Sequence, residues 1–157
     1  MRHFCLLLLL VLACMKAAVA EPFLVLDRQG ARSLVDAKSH SAPTIVALWS
    51  SDCPHCKRNL KLFAHMATDY PRLRLITIAV EPLSEELAVP LDRLSVPGAR
   101  YAYGAESPEA LAHALDPKWR GELPRTLLFD GNGGKEAVSG AMDEHGVRRH
   151  LRLTAKP

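Results

Sequence analysis

The chain has 157 residues, with 20 Lys and Arg against 17 Asp and Glu, 48% hydrophobic residues, 9 Gly, 11 Pro and 4 Cys. That balance excludes collagen-like, disordered and cysteine-framework classes and carries no charge excess suited to nucleic acid. The length fits one globular domain that buries roughly two-thirds of its unfolded surface, so its core needs no disulfide staple.

The first residues are read apart from the fold. Met1-Arg2-His3 is a short basic start, Phe4 to Met15 is apolar, and Ala18-Val19-Ala20 is a small-x-small cleavage site before Glu21. This is the pattern of a secretory signal peptide over residues 1–20. The apolar run stops at Lys16, short of the roughly 20 residues a spanning helix needs, so no permanent transmembrane anchor is expected. Val11-Leu12-Ala13-Cys14 is a loose lipobox, which keeps a lipid anchor through Cys14 as an alternative. Both readings place the chain outside the cytoplasm.

Beyond the leader, no repeat, low-complexity run or linker divides the chain. A strand is predicted at Phe23 to Leu26, then an amphipathic segment at Ala31 to Lys38 and a turn around His40 to Pro43. Thr44 to Trp49 is a continuous β-rich apolar run, as expected of a strand buried on both faces. From Pro54 the apolar positions Leu60, Phe63, Ala64 and Ala67 recur at helical spacing until Tyr70-Pro71 stops the helix. Leu73 to Val80 reads as the next buried strand. Ser84 to Leu94 reads as helical, with Pro90 as a flaw that kinks or ends it.

Ser107-Pro108-Glu109 opens a cleaner helix through Leu115, with Ser107 as N-cap and Pro108 at the first helical position. Thr126 to Phe129 and Glu136 to Val138 are short strands around Asp130-Gly131-Asn132-Gly133-Gly134, a hairpin signal. Asp143 to Leu153 should form a terminal helix. The order is β-α-β-α-β, an insertion carrying a helix, then β-β-α, which implies an α/β fold with a central mixed sheet and helices on both faces.

Cys5 and Cys14 leave with the leader, so the remaining cysteines are Cys53 and Cys56 in Trp49-Ser50-Ser51-Asp52-Cys53-Pro54-His55-Cys56-Lys57. Here a buried strand ends and a helix begins. Unpaired backbone N–H groups and the positive helix end stabilise a thiolate on Cys53, which should titrate below the free value of about 8.5. Cys56 lies one turn deeper, at a spacing that lets it resolve a mixed disulfide formed on Cys53. His55 adds a positive charge or N–H donor beside the thiolate, and Pro54 with His55 is expected to tune the potential.

Other uses of the pair require more than the sequence supplies. A c-type haem site needs His directly after the second cysteine, and position 57 is Lys. A zinc site needs about four ligands, so it would have to recruit His65 or His113. A copper or peptide chaperone using the same dithiol surface stays open as a non-enzymatic alternative. No dissociable cofactor and no dedicated metal site is implied.

The Trp49-to-Lys57 segment and Gly121-Glu122-Leu123-Pro124-Arg125-Thr126-Leu127-Leu128-Phe129-Asp130 resemble the thioredoxin superfamily. The resemblance implies one thioredoxin-like domain over residues 21–157, with Cys53 as nucleophile and Cys56 as resolving thiol. Pro124 would be the cis-proline that faces the cysteines, with the Leu123 backbone pairing to an extended substrate peptide. The 68 positions from Cys56 to Pro124 resemble the TlpA/ResA group of periplasmic thiol-disulfide oxidoreductases, which carry a small insertion between the third strand and the cis-proline. The Pro54-His55 dipeptide resembles that of DsbA. Protein thiols or disulfides are the implied partners, together with a membrane redox partner that resets the dithiol. The resemblance leaves the direction of net electron flow open.

Two positions depart from that pattern. Position 47 is Ala where thioredoxin and DsbA carry a buried acid beneath the motif, so the Cys56 proton must use water or another group. Position 52 is Asp where an aromatic residue is common, and its charge opposes thiolate formation. Trp49 is a candidate substrate contact at the strand end, weighed against core packing, and Trp119 is expected to pack. Arg125, beside the cis-proline, is a candidate cation for the Cys53 thiolate or a substrate carboxylate. The remaining histidines share no ligand spacing, and Arg148, Arg149 and Arg152 read as the solvated face of the last helix.

Overall fold

The computed structural model describes residues 22–154, so the leader, its cleavage site and Cys14 lie outside the described residues. Strand β1 is Phe23–Leu26, helix α1 Arg28–Leu34, β2 Thr44–Trp49, α2 Pro54–Asp69 and β3 Arg74–Pro82. Then follow α3 (Ala88–Arg93), β4 (Ala99–Tyr103), α4 (Pro108–Leu115), β5 (Arg125–Phe129), β6 (Lys135–Ser139) and α5 (Glu144–Leu151). The six strands form one mixed sheet in the order β1-β4-β3-β2-β5-β6. The first four in that order run parallel, and β5 and β6 are antiparallel to their neighbours.

All six residues of β2 are buried, which is why its sequence shows no polar alternation. Its two faces feed two cores. Ile45, Ala47 and Trp49 pack with Cys56, Leu60 and Phe63 of α2, Leu91 of α3, and Val147 and Leu151 of α5. Val46 and Leu48 pack on the other face with Leu111 and Leu115 of α4 and Ala31 of α1. Asp27, Ser107 and Asp143 cap α1, α4 and α5 by accepting from the N–H of Gly30, Ala110 and Gly146. Pro108 occupies the first turn of α4, where its missing N–H costs no bond.

The structure differs from the sequence reading in the first helix and in the insertion. The Ala31-to-Lys38 segment is helical from Arg28 to Leu34 and then forms a separate 3-10 turn, Ala37–Ser39, capped by Asp36. Ser84 to Leu94 divides into a 3-10 turn, Glu85–Leu87, and α3. Pro90 sits in the first turn of α3, where its N–H would lack an intrahelical acceptor, so it neither kinks nor ends the helix. The insertion also carries β4, which the sequence reading lacks; it wedges between β1 and β3.

The chain enters β4 through Gly98 at φ 90°, where an added Cβ would lie 2.0 Å from the Leu75 carbonyl oxygen, so only glycine fits. Arg100 of β4 is buried; its Nη1 donates to Asp92 at 2.6 Å and its Nη2 to the Val96 carbonyl at 3.2 Å. The insertion helix is thereby tied to the sheet. Asn59 does the same for α2. Its Nδ2 donates to the Gly140 carbonyl at 3.0 Å and its Oδ1 accepts from the Met142 N–H at 3.0 Å, fixing the loop between β6 and α5.

Candidate active site

The site arises where β2 stops. Trp49 ends the strand, Ser50 to Asp52 turn the chain, and Cys53 is the N-cap of α2 with Pro54 in its first turn. The Cys53 sulfur takes the place of a capping oxygen, accepting from the Cys56 N–H at 3.1 Å. An anion on that sulfur meets both this N–H and the positive end of a sixteen-residue helix. The two cysteines form a disulfide across a Cα separation of 5.3 Å. Cys53 is half-buried and Cys56 is 1% exposed, so the first sulfur is the accessible one. Pro54 and His55 are exposed at the helix tip.

Strand pairing brings the second segment alongside. β5 runs antiparallel to β2 with Leu48 opposite Arg125, so the residues before Arg125 continue beside the turn that carries Cys53. The Leu123–Pro124 bond is cis. Pro124 is buried and its carbonyl accepts from Gly140 at 2.9 Å, which holds the loop from the β6 side. Among the described residues, neither the N–H nor the C=O of Leu123 is engaged. That free strand-like edge suits an added peptide strand.

Two of the expected substrate contacts are placed elsewhere. Trp49 is 0% exposed and belongs to the core shared with α2, so packing replaces the surface role. Arg125 is engaged on the far side of the sheet from Cys56. Its Nε donates to Asp116 Oδ2 at 3.2 Å, its Nη2 pairs with the same oxygen, and its Nη1 donates to Ser139 at 2.7 Å. Alternation along β5 explains this, since Arg125 shares its face with Leu127 and Phe129, whereas Leu128 faces the Cys56 core. Arg125 braces the strand that follows Pro124 and is not aimed at the Cys53 sulfur. Trp119 is also engaged, its indole donating to the Glu122 carbonyl at 2.7 Å.

Register shows what lies under the motif. Ala47 pairs with Thr77 on β3 and Thr126 on β5, and Thr77 pairs with Arg100 on β4. Position 47 thus sits between two buried threonines, with the nearest charge of that row two strands away on Arg100. No carboxylate of this row can take the Cys56 proton. His65 pairs with Asp69 at 3.4 Å on α2, and His113 lies on α4 across the sheet. Among the described residues, no three His, Cys, Asp or Glu side chains are grouped to hold a metal ion.

One residue that the sequence reading passed over reaches the motif. Glu81, near the end of β3, accepts from the Ser51 N–H at 2.5 Å and from the Ser51 hydroxyl at 3.1 Å. Ser50 donates to Asp52 at 2.6 Å, so both serines of the turn are held by carboxylates. Its signal was the adjacency of β2 and β3, which places their C-terminal ends together. A charge-assisted hydrogen bond is worth about 1.5–3 kcal/mol and a neutral one about 0.5–1.5 kcal/mol. Glu81→Ala is therefore expected to destabilise by about 2 kcal/mol, and Glu81→Gln by about 1 kcal/mol. Because Gln removes a negative charge near the motif, it should also lower the midpoint of Cys53 thiolate absorbance. Chemical denaturation and a thiolate titration of both variants check the pair of outcomes.

Together these features define a thioredoxin-like fold: a mixed sheet, a cysteine pair at the start of the helix after β2, and a cis-proline beside it. Neither a protein-family model nor a curated protein sequence matches the chain. Solved structures do. A thioredoxin-family thiol:disulfide interchange protein from Chlorobium tepidum superposes with a TM-score of 0.60 at 15% identity, covering 77% of this chain and 82% of that one. A secreted Mycobacterium tuberculosis disulfide oxidoreductase homologous to E. coli DsbE gives 0.56 at 13% identity over 73% and 84%. Mycobacterium tuberculosis DsbF gives 0.53 at 19% identity over 73% and 83%. The chain has their fold.

Proposed function

We propose that the protein is an exported thiol:disulfide oxidoreductase acting on protein cysteines through Cys53 and Cys56. The observation that carries this reading is the half-exposed Cys53 at the N-cap of α2, with its sulfur on the Cys56 N–H. The Cys53 thiolate attacks a substrate disulfide, forms a mixed disulfide and releases one substrate thiolate, which takes a proton. The Cys56 thiol loses its proton and attacks the Cys53 sulfur. The internal disulfide forms and the second substrate thiolate leaves. The substrate gains two electrons and the dithiol loses them; the reverse sequence oxidises a substrate dithiol. Pro124 and the Leu123 backbone present the substrate chain to Cys53.

A signal peptide over residues 1–20 would deliver the chain to the periplasm, where a membrane redox partner would reset the dithiol. That one structural neighbour is described as secreted supports this placement. Among the described residues, no helix is long and apolar enough to cross a membrane. Reduction of insulin by the dithiol form tests the activity, and a redox titration of Cys53 and Cys56 tests its poise. The helix terminus and His55 favour the thiolate, while Asp52 opposes it; an exposed charge of that kind is worth well under about 1 kcal/mol. The midpoint is thus expected above thioredoxin's value of about −270 mV and below the strong oxidant's of about −120 mV. His55→Pro should make the pair more reducing and Asp52→Asn more oxidising. A wild-type midpoint at or below thioredoxin's, unmoved by His55→Pro, would overturn the tuning role.

A further inference from the structure

A groove opens beside the motif, between its turn and the insertion helix, with a volume of about 460 Å³. Ser51 and Lys57, which flank the two cysteines, form one wall. Val89, Pro90, Arg93 and Leu94 of the α3 region form the other. Val89 is 46% exposed, so the groove presents an apolar side chain at its surface.

The charges around it are unevenly satisfied. The side chains of Lys57 and Arg93 have no ion-pair or hydrogen-bond partner among the described residues, although Arg93 adjoins Asp92. Asp92 is taken by the buried Arg100, which fixes α3 on the sheet and leaves the Arg93 charge unmatched. Lys61, one turn beyond Lys57 and likewise unpaired, extends the basic wall. Of the nearby acids, Glu81 and Asp52 accept from Ser51 and Ser50 and keep their charge, and Glu86 lines the groove itself, where Lys57 and Arg93 outnumber it.

We propose that this groove docks a segment of the protein whose cysteine reacts at Cys53, and that it selects an acidic side chain next to an apolar one. This rests on the thiol:disulfide reading and adds a specificity to it. The apolar residue covers Val89 and Leu94, and the acidic one meets Lys57 and Arg93. The insertion then serves as a selectivity wall, since without α3 and its Arg100 anchor the motif would have no second side to the groove.

The test uses two synthetic ten-residue peptides, each carrying one cysteine as a mixed disulfide with glutathione. One has Glu-Leu beside the cysteine and the other Lys-Ser. The dithiol protein is expected to reduce the Glu-Leu peptide with at least about tenfold higher kcat/KM at low salt. The preference should shrink at 0.5 M NaCl, where screening shortens to a few ångströms. Lys57→Glu with Arg93→Glu should abolish or invert the preference, and Val89→Ser should reduce it; all three positions are at the surface, so circular dichroism is expected to be unchanged. Equal kcat/KM for the two peptides, or a preference untouched by the double charge reversal, would overturn the groove assignment. Glutathione disulfide separates the two levels of inference. If the protein reacts with it but does not discriminate between peptides, the docking proposal fails alone. If it reacts with none of the three disulfides, the oxidoreductase reading fails.

Discussion

Cys53→Ser should reduce exchange with insulin or any peptide disulfide to the uncatalysed background, while Cys56→Ser should keep the first attack and accumulate mixed disulfides. The asymmetry follows from placement. Cys53 is the half-exposed sulfur and the one that receives the Cys56 N–H, whereas Cys56 is 1% exposed beneath it. A thiol reacts as its thiolate, and a serine hydroxyl in that cap cannot provide one near neutral pH. With Cys56 removed, the mixed disulfide on Cys53 lacks its intramolecular exit and must wait for a second thiol from solution. Non-reducing electrophoresis of the two variants after exposure to a protein extract reads the difference directly. Equal trapping by both would reverse or erase the assigned order.

The parts of the site that are local in sequence were legible, and those assembled across strands were not. Thr44 to Trp49 and the helix opening at Pro54 were readable because a strand buried on both faces is uniformly apolar and an N-capped helix announces itself. The cis Leu123–Pro124 bond lay where the resemblance to thioredoxin put it. β4 escaped because Ala99-Arg100-Tyr101-Ala102-Tyr103 places a cation in mid-strand, and only its pairing with Asp92 makes that burial tolerable. Glu81 escaped for a related reason: it is 30 residues from Ser51, and only the β2–β3 register joins them. Arg125 stands beside Pro124, and strand alternation, which the local sequence does not reveal, turns its side chain toward Asp116 and Ser139.

The Arg125–Asp116 pair carries the largest stability effect expected here. Arg125 and Asp116 are nearly buried together, and Lys118 donates its N–H to Asp116 at 3.0 Å while Ser139 bridges Arg125 to Glu122 at 2.6 Å. Burial alone would raise the Asp116 carboxyl, but the Arg125 guanidinium and the Lys118 N–H hold it below the ordinary aspartate value. Breaking a buried pair from one side costs about 3–5 kcal/mol, and the residual exposure of both partners reduces this to about 2–3 kcal/mol. For a domain of this size, Arg125→Leu should lower Tm at pH 7 by roughly 10 °C. A carboxyl whose folded pKa is depressed contributes stability above its unfolded value of about 3.9, and loses it as pH falls through the folded value. The gap between wild type and Arg125→Leu should therefore be wide at pH 7 and narrow as pH falls below the ordinary aspartate range and through the lower folded value. Asp116→Asn combined with Arg125→Leu should cost little more than either alone, because each already dismantles the same pair. Calorimetry of the wild type and the three variants across an acid titration checks this; a decrement that stays constant as pH falls through the aspartate range would show that Arg125 braces the cis-proline strand by packing alone.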